Sequence, residues 1–309
     1  MEEFKARYEK LTSWEEFSSA IAQPLRKSIR VNTIATSAKK LKGAIEAEWN
    51  LDPVPWCPEG FWIAHKKGER QDIGNVPGHK EGHFFVQEAA SMIPAVVLGP
   101  MPGENVLDAC ASPGAKTTQI AQYMGNTGAL VALDVRQDRI AILRRNVERM
   151  KVTNCVVEMS SVQQLTDIQF DRVLADAPCT GTGILQKSPE TAETWSPELA
   201  KRLSDDQKSI LHSAYCLLKK GGRLVYSTCS VDPQEDEAVV SWLLKRHKKS
   251  ELEEIILPGL KRSEPVLEFE GEKYNPTVER CLRIWPQDNN TSGFFVASIR
   301  KLGRKPKGI

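Results

Sequence analysis

Two cysteines in this chain stand where a thiol could react. Cys179 follows the apolar run DRVLADAP and precedes the loop TGTG, while Cys229 closes the apolar run GRLVYSTC. Asp176 lies shortly before Cys179. Both runs read as buried strands, so two strand ends bring two thiols and a carboxyl group to one edge of a sheet. A thiolate beside a carboxyl group suits covalent addition to an electron-poor ring. In cytosine, sulfur adding to C6 leaves C5 nucleophilic enough to attack an electrophilic methyl group. An acid at N3 favours that addition, so Asp176 is expected to act protonated or sharing a proton. A base must then remove H5 before the sulfur leaves. The residue types alone leave open which cysteine attacks.

A second constellation, ENVLDACASPGAKTTQ, joins a strand to a helix start through Pro113 and Gly114. Gly114 and Ala115 let a ligand approach the backbone closely. No GxGxxG is present, which removes the dinucleotide fingerprint and the pyrophosphate reading with it. In the next strand, GALVALDV, Asp134 stands where a carboxylate can accept both hydroxyls of a ribose. Arg139, in the helix that follows, could orient Asp134. The combination suits an adenosine-type ligand.

These residues need a sheet to hold them, and the chain supplies one. From about residue 84, strand-like and helix-like segments alternate. QEAASMIPAVVL reads as a helix, and ENVLDAC, GALVALDV, NCVVEM, DRVLADAP and GRLVYSTC read as strands. Amphipathic helices fall between them, the longest over roughly residues 197–218. RCLRIWP and GFFVASIRK suit a terminal antiparallel pair. The fold class is therefore α/β, a mostly parallel sheet with helices on both faces, whose ligands bind beyond the carboxyl ends of the strands. Residues 1–82 read as a small α+β unit, residues 83–303 as the large domain, and residues 304–309 as a basic tail.

Composition narrows the class further. The 309 residues are 40% hydrophobic and 27% charged with a net charge of +2, a balance that does not by itself announce a nucleic-acid binder. Basic residues cluster only locally, as at Arg26, Lys27 and Arg30 or at Lys245, Arg246, Lys248 and Lys249. No long apolar run suggests a membrane span, and MEEFKARYEK lacks a signal-peptide core, so the expectation is a cytoplasmic protein. The seven cysteines include no CxxC pair, which speaks against disulfides and against a metal site.

The motifs DACASPGAKTTQ, DRVLADAPCTGTG and LVYSTCS, in this order, resemble the Nop/Sun family of RNA cytosine-5 methyltransferases, in its archaeal and bacterial tRNA or rRNA branch. SIRVNT, FFVQEAASM, KSPETAETWSPE and TSGFFVASIRK extend the resemblance over residues 25–301. The resemblance implies a Rossmann-like class I methyltransferase domain preceded by a small RNA-recognition-like domain. It also implies S-adenosylmethionine as methyl donor, Cys229 as the attacking thiol and Cys179 as the group that aids product release. Asp176 becomes the base-contacting carboxylate, and Lys116 reaches the reaction centre. Cys110, Ala111, Ser112, Pro113, Gly114, Ala115 and Lys116 become the turn around the methionine portion, with Asp134 on the ribose. Arg30 and Asn32 fall in the motif assigned to RNA.

Two positions depart from the family pattern. Ala115 replaces a second glycine, and Ser160 and Ser161 stand where relatives carry an aspartate for the adenine amino group, leaving Ser161 as the adenine contact. The expected partner is RNA, tRNA first and rRNA second, bound by a monomer. Trp56, Trp62 and Trp195 could stack bases but are expected in packing, and His79 and His83 carry no role. The alternatives are a DNA cytosine-5 methyltransferase using Cys179, whose Pro-Cys presentation it shares, and a non-catalytic RNA-binding assembly factor. The second thiol and the lack of a long variable region oppose the first; Cys229, Cys179 and Asp176 together oppose the second.

Overall fold

The computed structural model describes residues 2–68 and 72–303, so the expected basic tail lies outside the described residues. The first sheet is antiparallel, in the order β2 (Trp49–Pro53), β3 (Gly60–His65), β1 (Ser28–Val31), β4 (Phe84–Val86). Helix α3 (Ala38–Ile45) begins at Ser37, whose hydroxyl accepts the Lys40 N–H at 3.3 Å. It packs Leu41 and Ile45 against Ile29, Val31 and Ile63. β4 belongs to this sheet, so the sheet extends past the expected division at residue 82.

Helices α1 (Glu2–Tyr8) and α2 (Trp14–Ala22) lie elsewhere. Phe4, Tyr8 and Phe17 form an aromatic cluster with Trp195, Leu185, Val231 and Trp285 of the large domain. The Arg7 guanidinium donates twice to Asp232, at 2.7 and 2.8 Å. The N-terminal segment is thus a brace for the large domain as well as a lead into the small one.

The main sheet has the order β10 (Ser250–Glu253), β14 (Phe294–Lys301), β9 (Leu218–Thr228), β8 (Phe170–Asp176), β5 (Asn105–Asp108), β6 (Ala129–Asp134), β7 (Cys155–Met159), with β13 (Leu282–Ile284) pairing β14. Strands β9, β8, β5, β6 and β7 are parallel, and β10, β13 and β14 are antiparallel additions. RCLRIWP and GFFVASIRK therefore do pair antiparallel. The strand period of two splits the core. Val173, Ala175 and Tyr226 face α8 (Pro197–Cys216) and α9 (Glu237–Arg246). Leu174, Val106 and Val225 face α4 (Ile93–Leu98) and α5 (Ala115–Tyr123). Helix α6 (Gln137–Arg149) packs Ile140 and Leu143 on Ala111 and Ala132. Among the described residues no helix is long and apolar enough to cross a membrane.

Two helix expectations change. QEAASMIPAVVL is not one helix: β4 ends at Val86, a short 3-10 turn covers Ala90–Met92, and only Ile93–Leu98 is α-helical. The Gln87 amide donates to Ser91 O and Gln119 Oε1, and Glu88 accepts the Ser91 N–H, so side chains take up the bonds a longer helix would need. The long helix stops at Cys216 rather than 218, because Leu218 already pairs with Phe170 as the first residue of β9.

Candidate active site

The carboxyl ends of β8 and β9 carry the two thiols to one place. Cys179 Sγ and Cys229 Sγ lie 3.2 Å apart, and both cysteines are free. The loop after β8 is tied to the loop after β9 by backbone bonds as well: the Gly183 N–H donates to Cys229 O at 2.9 Å. A Cβ at Gly183 would stand 2.3 Å from Gly293 O and 2.7 Å from Cys229 O, so only glycine fits there. The hydrogen bond to Cys229, followed by burial, pushes the Cys179 thiol well above its ordinary pKa.

Asp176, the last residue of β8, is held from two sides. Lys116 Nζ donates to its Oδ2 at 2.7 Å, and Ser227 Oγ donates to its Oδ1 at 2.7 Å. Lys116 also donates to Ser91 Oγ at 3.1 Å. Burial pushes the Lys116 ammonium down, but Asp176 outweighs it, and its pKa stands above the ordinary value. The contact is thus an ion pair in which Lys116 holds the proton and both Asp176 oxygens accept, unlike the expected proton on Asp176.

The turn from Cys110 to Lys116 leads into α5 with Gly114 at φ 104°, a left-handed conformation. Side chains of α6 secure it. Arg139 Nη2 donates to Ser112 O at 2.9 Å, Ser112 Oγ donates to Arg139 O at 3.0 Å, and Asn146 donates to Pro113 O at 2.8 Å. Asp134 is buried at the end of β6, where its Oδ1 accepts the Arg136 N–H and its Oδ2 lies 3.4 Å from Arg139 Nε. Arg139 thus does two tasks, orienting Asp134 and fastening the turn.

Two adjoining cavities share Cys110, Ser112, Asp176 and Cys229. One, of about 390 Å³, is lined by Asp134, Val135, Arg139, Ser161, Pro178 and Ile210. Val135 is 64% exposed there, an apolar wall with nothing packed on it. The other, of about 250 Å³, is lined by Phe85, Glu88, Lys116, Lys187 and Phe294. Cys110, Ala111, Ser112 and Asp134 therefore do line these cavities with the two thiols, as Ser161 does. Ser161 sits at the start of a 3-10 turn, its N–H donating to Gln164 Oε1 at 3.1 Å.

Arg30 and Asn32 are not available to RNA. Both are fully buried between the domains. Arg30 donates to Ala115 O at 3.3 Å and Thr118 Oγ1 at 2.8 Å, while Asn32 donates to Gly82 O at 2.8 Å and Met150 O at 2.9 Å. They fasten the small sheet to α5 and to the end of α6. Trp56 and Trp195 are buried, as expected of packing residues; Trp62 instead carries the Arg26 guanidinium 4.0 Å from its ring centre.

Sequence reasoning missed three acidic groups. Glu235 accepts the Thr180 N–H at 2.8 Å, Ser230 Oγ at 2.7 Å, Gln207 Nε2 at 3.0 Å and the Thr180 hydroxyl. Burial raises its pKa, and these donors pull it back. Its signal was local: SVDPQEDE directly follows the STC strand end. Asp108 is buried under the cofactor turn, raised by burial to a pKa of about 7, with Oδ2 accepting from Thr117 at 2.7 Å. Its Oδ1 has no hydrogen-bond partner among the described residues. Glu88 lines the smaller cavity opposite Cys229 and accepts the N–H groups of Ser91 and Ser292.

Comparison with known proteins agrees with this geometry. Residues 95–300 match the family described as 16S rRNA methyltransferase RsmB/F, and residues 1–89 match the N-terminal domain of 16S rRNA methyltransferase RsmF. A tRNA (cytosine(49)-C(5))-methyltransferase of Pyrococcus abyssi is 45% identical, over 96% of this chain and 94% of that protein. The ribosomal RNA small subunit methyltransferase F of Shewanella piezotolerans is 39% identical over 93% of this chain, which spans 60% of that relative's length. A crystal structure of a methyltransferase homolog from Pyrococcus horikoshii has a TM-score of 0.84 at 35% identity, covering 96% of this chain and 94% of that one. With two thiols at adjacent strand ends, and with these matches over nearly its whole length, the chain belongs to the RsmB/F (Nop/Sun) family of RNA cytosine-C5 methyltransferases.

Proposed function

We propose that Cys229 attacks C6 of a tRNA cytosine and that Cys179 assists its departure. The carrying observation is the 3.2 Å thiol pair in which Cys229 lines both cavities and Cys179 only the larger one. The residues fit S-adenosylmethionine: Asp134 suits the ribose, Val135 offers an apolar face for adenine, and Asp108, with one oxygen left without a partner, lines the smaller cavity beneath the turn. When bound, that cofactor supplies the electrophilic methyl group. As sulfur adds to C6, Lys116 passes a proton through Asp176 to N3, so the ring's electron pair becomes available at C5. Once C5 carries the methyl group, a base takes H5 as a proton, the C–H electron pair restores the C5–C6 double bond, and the C6–S bond breaks to release Cys229 as thiolate. The Cys179 S–H, hydrogen-bonded to that sulfur, stabilises it as it leaves.

RNA would reach the site along Arg26, Lys27 and Lys187, which line a groove with Val86, Gln87 and Glu88 that opens into the smaller cavity. tRNA is favoured over rRNA because the tRNA relative is 45% identical and the rRNA relative 39%. The test is RNA containing 5-azacytidine, which traps the enzyme covalently. Adduct lost in Cys179→Ala and retained in Cys229→Ala would reverse the roles. Bisulfite sequencing of total RNA with and without the gene identifies the cytosine, and a site confined to rRNA would overturn the tRNA assignment.

A further inference from the structure

Far from the thiol pair, where α8 and α9 end, three metal-ligating side chains meet. His212 and Cys216 stand four residues apart on α8 and so share one face of it, and His247 directly follows α9. His212 Nδ1 and His247 Nε2 lie 2.8 Å apart, and Cys216 Sγ lies 4.0 Å from His212 Nδ1. All three ligand atoms fall within 4.8 Å of one another. The sequence contains no CxxC pair, and this set is assembled from two helices instead.

We propose that His212, Cys216 and His247 form a binding site for a thiophilic d-block cation, with zinc(II) as its reference ion. In a tetrahedral zinc site with ordinary bond lengths, two ligand nitrogens lie about 3.3 Å apart and a nitrogen and sulfur about 3.6 Å. The observed separations of 2.8 and 4.0 Å lie within a few tenths of an ångström of those values, on opposite sides. The set of two imidazoles and one thiolate selects soft or borderline ions over magnesium and calcium. Three protein ligands leave the fourth position to water, since Cys216 is exposed.

Tyr215 lies against His247 with ring centres 4.4 Å apart and planes tilted by 37°, and Trp242 lies edge-on to His212, so aromatic walls flank both rings. Lys301 is occupied, donating to the carbonyls of Tyr215, Cys216 and Leu218 at the end of α8. Binding would release the Cys216 thiol proton to solvent, leaving one net positive charge at the site. Its consequence is mechanical, a clamp between two helices that both pack on the main sheet.

Cobalt(II), a spectroscopic substitute for zinc, tests this on the reduced full-length protein. The expected result is one equivalent bound with a thiolate-to-cobalt charge-transfer band, bleached by added zinc(II). The band should vanish in Cys216→Ser and persist in the double variant Cys179→Ser/Cys229→Ser, with thermal unfolding of the wild type shifted upward by zinc and that of Cys216→Ser unshifted. Absence of the band in the wild type would overturn the proposal. So would a band that survives Cys216→Ser and disappears with the two active-site thiols.

Discussion

The Glu235 carboxylate receives the Thr180 N–H at 2.8 Å and thereby ties the residue after Cys179 to the segment after Cys229. Ser230 and Gln207 donate to the same carboxylate, and Gln207 also reaches Pro178 O at 2.9 Å. The spacing of the two thiols is therefore set by a buried acceptor that touches neither of them. Glu235→Ala should leave several buried donors unpaired, at about 1–3 kcal/mol each. Thermal unfolding should fall by several degrees, and kcat should drop more than KM changes. Wild-type turnover in a folded Glu235→Ala would remove this role.

Cys229→Ala should form no covalent complex with 5-azacytidine RNA and lose roughly 10³-fold or more in kcat. Cys179→Ala should still form the complex and release it slowly, so that denaturing gels show adduct even with ordinary cytosine RNA. Rapid turnover without accumulated adduct in Cys179→Ala would contradict the assistance assigned to it.

Asp108 offers a pH signature. Burial raises its pKa to about 7, far above that of an unfolded chain, so the folded state holds a proton that the unfolded state has lost. Its contribution to stability is fully present below the unfolded pKa and diminishes as pH rises toward 7. Asp108→Asn keeps an acceptor for Thr117 and carries no charge. Its melting temperature relative to wild type should therefore increase between pH 5 and pH 7.5. A difference independent of pH would show that Asp108 is ionised throughout.

Arg26 and Arg30 should separate cleanly. Arg26 lies on Trp62 beside the groove, so Arg26→Ala should weaken RNA binding and reduce the salt slope by about 0.7–0.9 if it meets one phosphate. Arg30→Met should lower thermal stability and S-adenosylmethionine affinity, since Arg30 bonds α5 beside the cofactor turn, yet leave the salt slope of RNA binding intact.

The contrast between those two arginines also marks how far the sequence could be read. Cys179, Cys229, Asp134 and the turn at Gly114 were legible because strand ends and tight turns write themselves into contiguous residues. Arg30 and Asn32, given to RNA by the motif they share with the family, are instead a buried polar pair that bridges two domains, which the sequence alone does not reveal. Its partners Thr118 and Met150 lie far along the chain. Glu235 was missed despite following the STC strand end, because SVDPQEDE has the composition of a solvated loop and only burial makes it an acceptor. QEAASM misled through its apolar spacing, since the decisive bonds there belong to the Gln87 and Glu88 side chains.

The aromatic brace of Phe4, Tyr8 and Phe17 has a consequence for modularity. A cut at the domain boundary would strip the cover from Leu185, Trp195, Val231 and Trp285, and leave Asp232 buried without Arg7. These residues flank the loops that carry both thiols. The large domain is thus not a detachable cassette: expressed from residue 83 onward, it should aggregate or lose its catalytic loops, whereas the same fragment supplied with residues 2–22 in trans should recover part of its order.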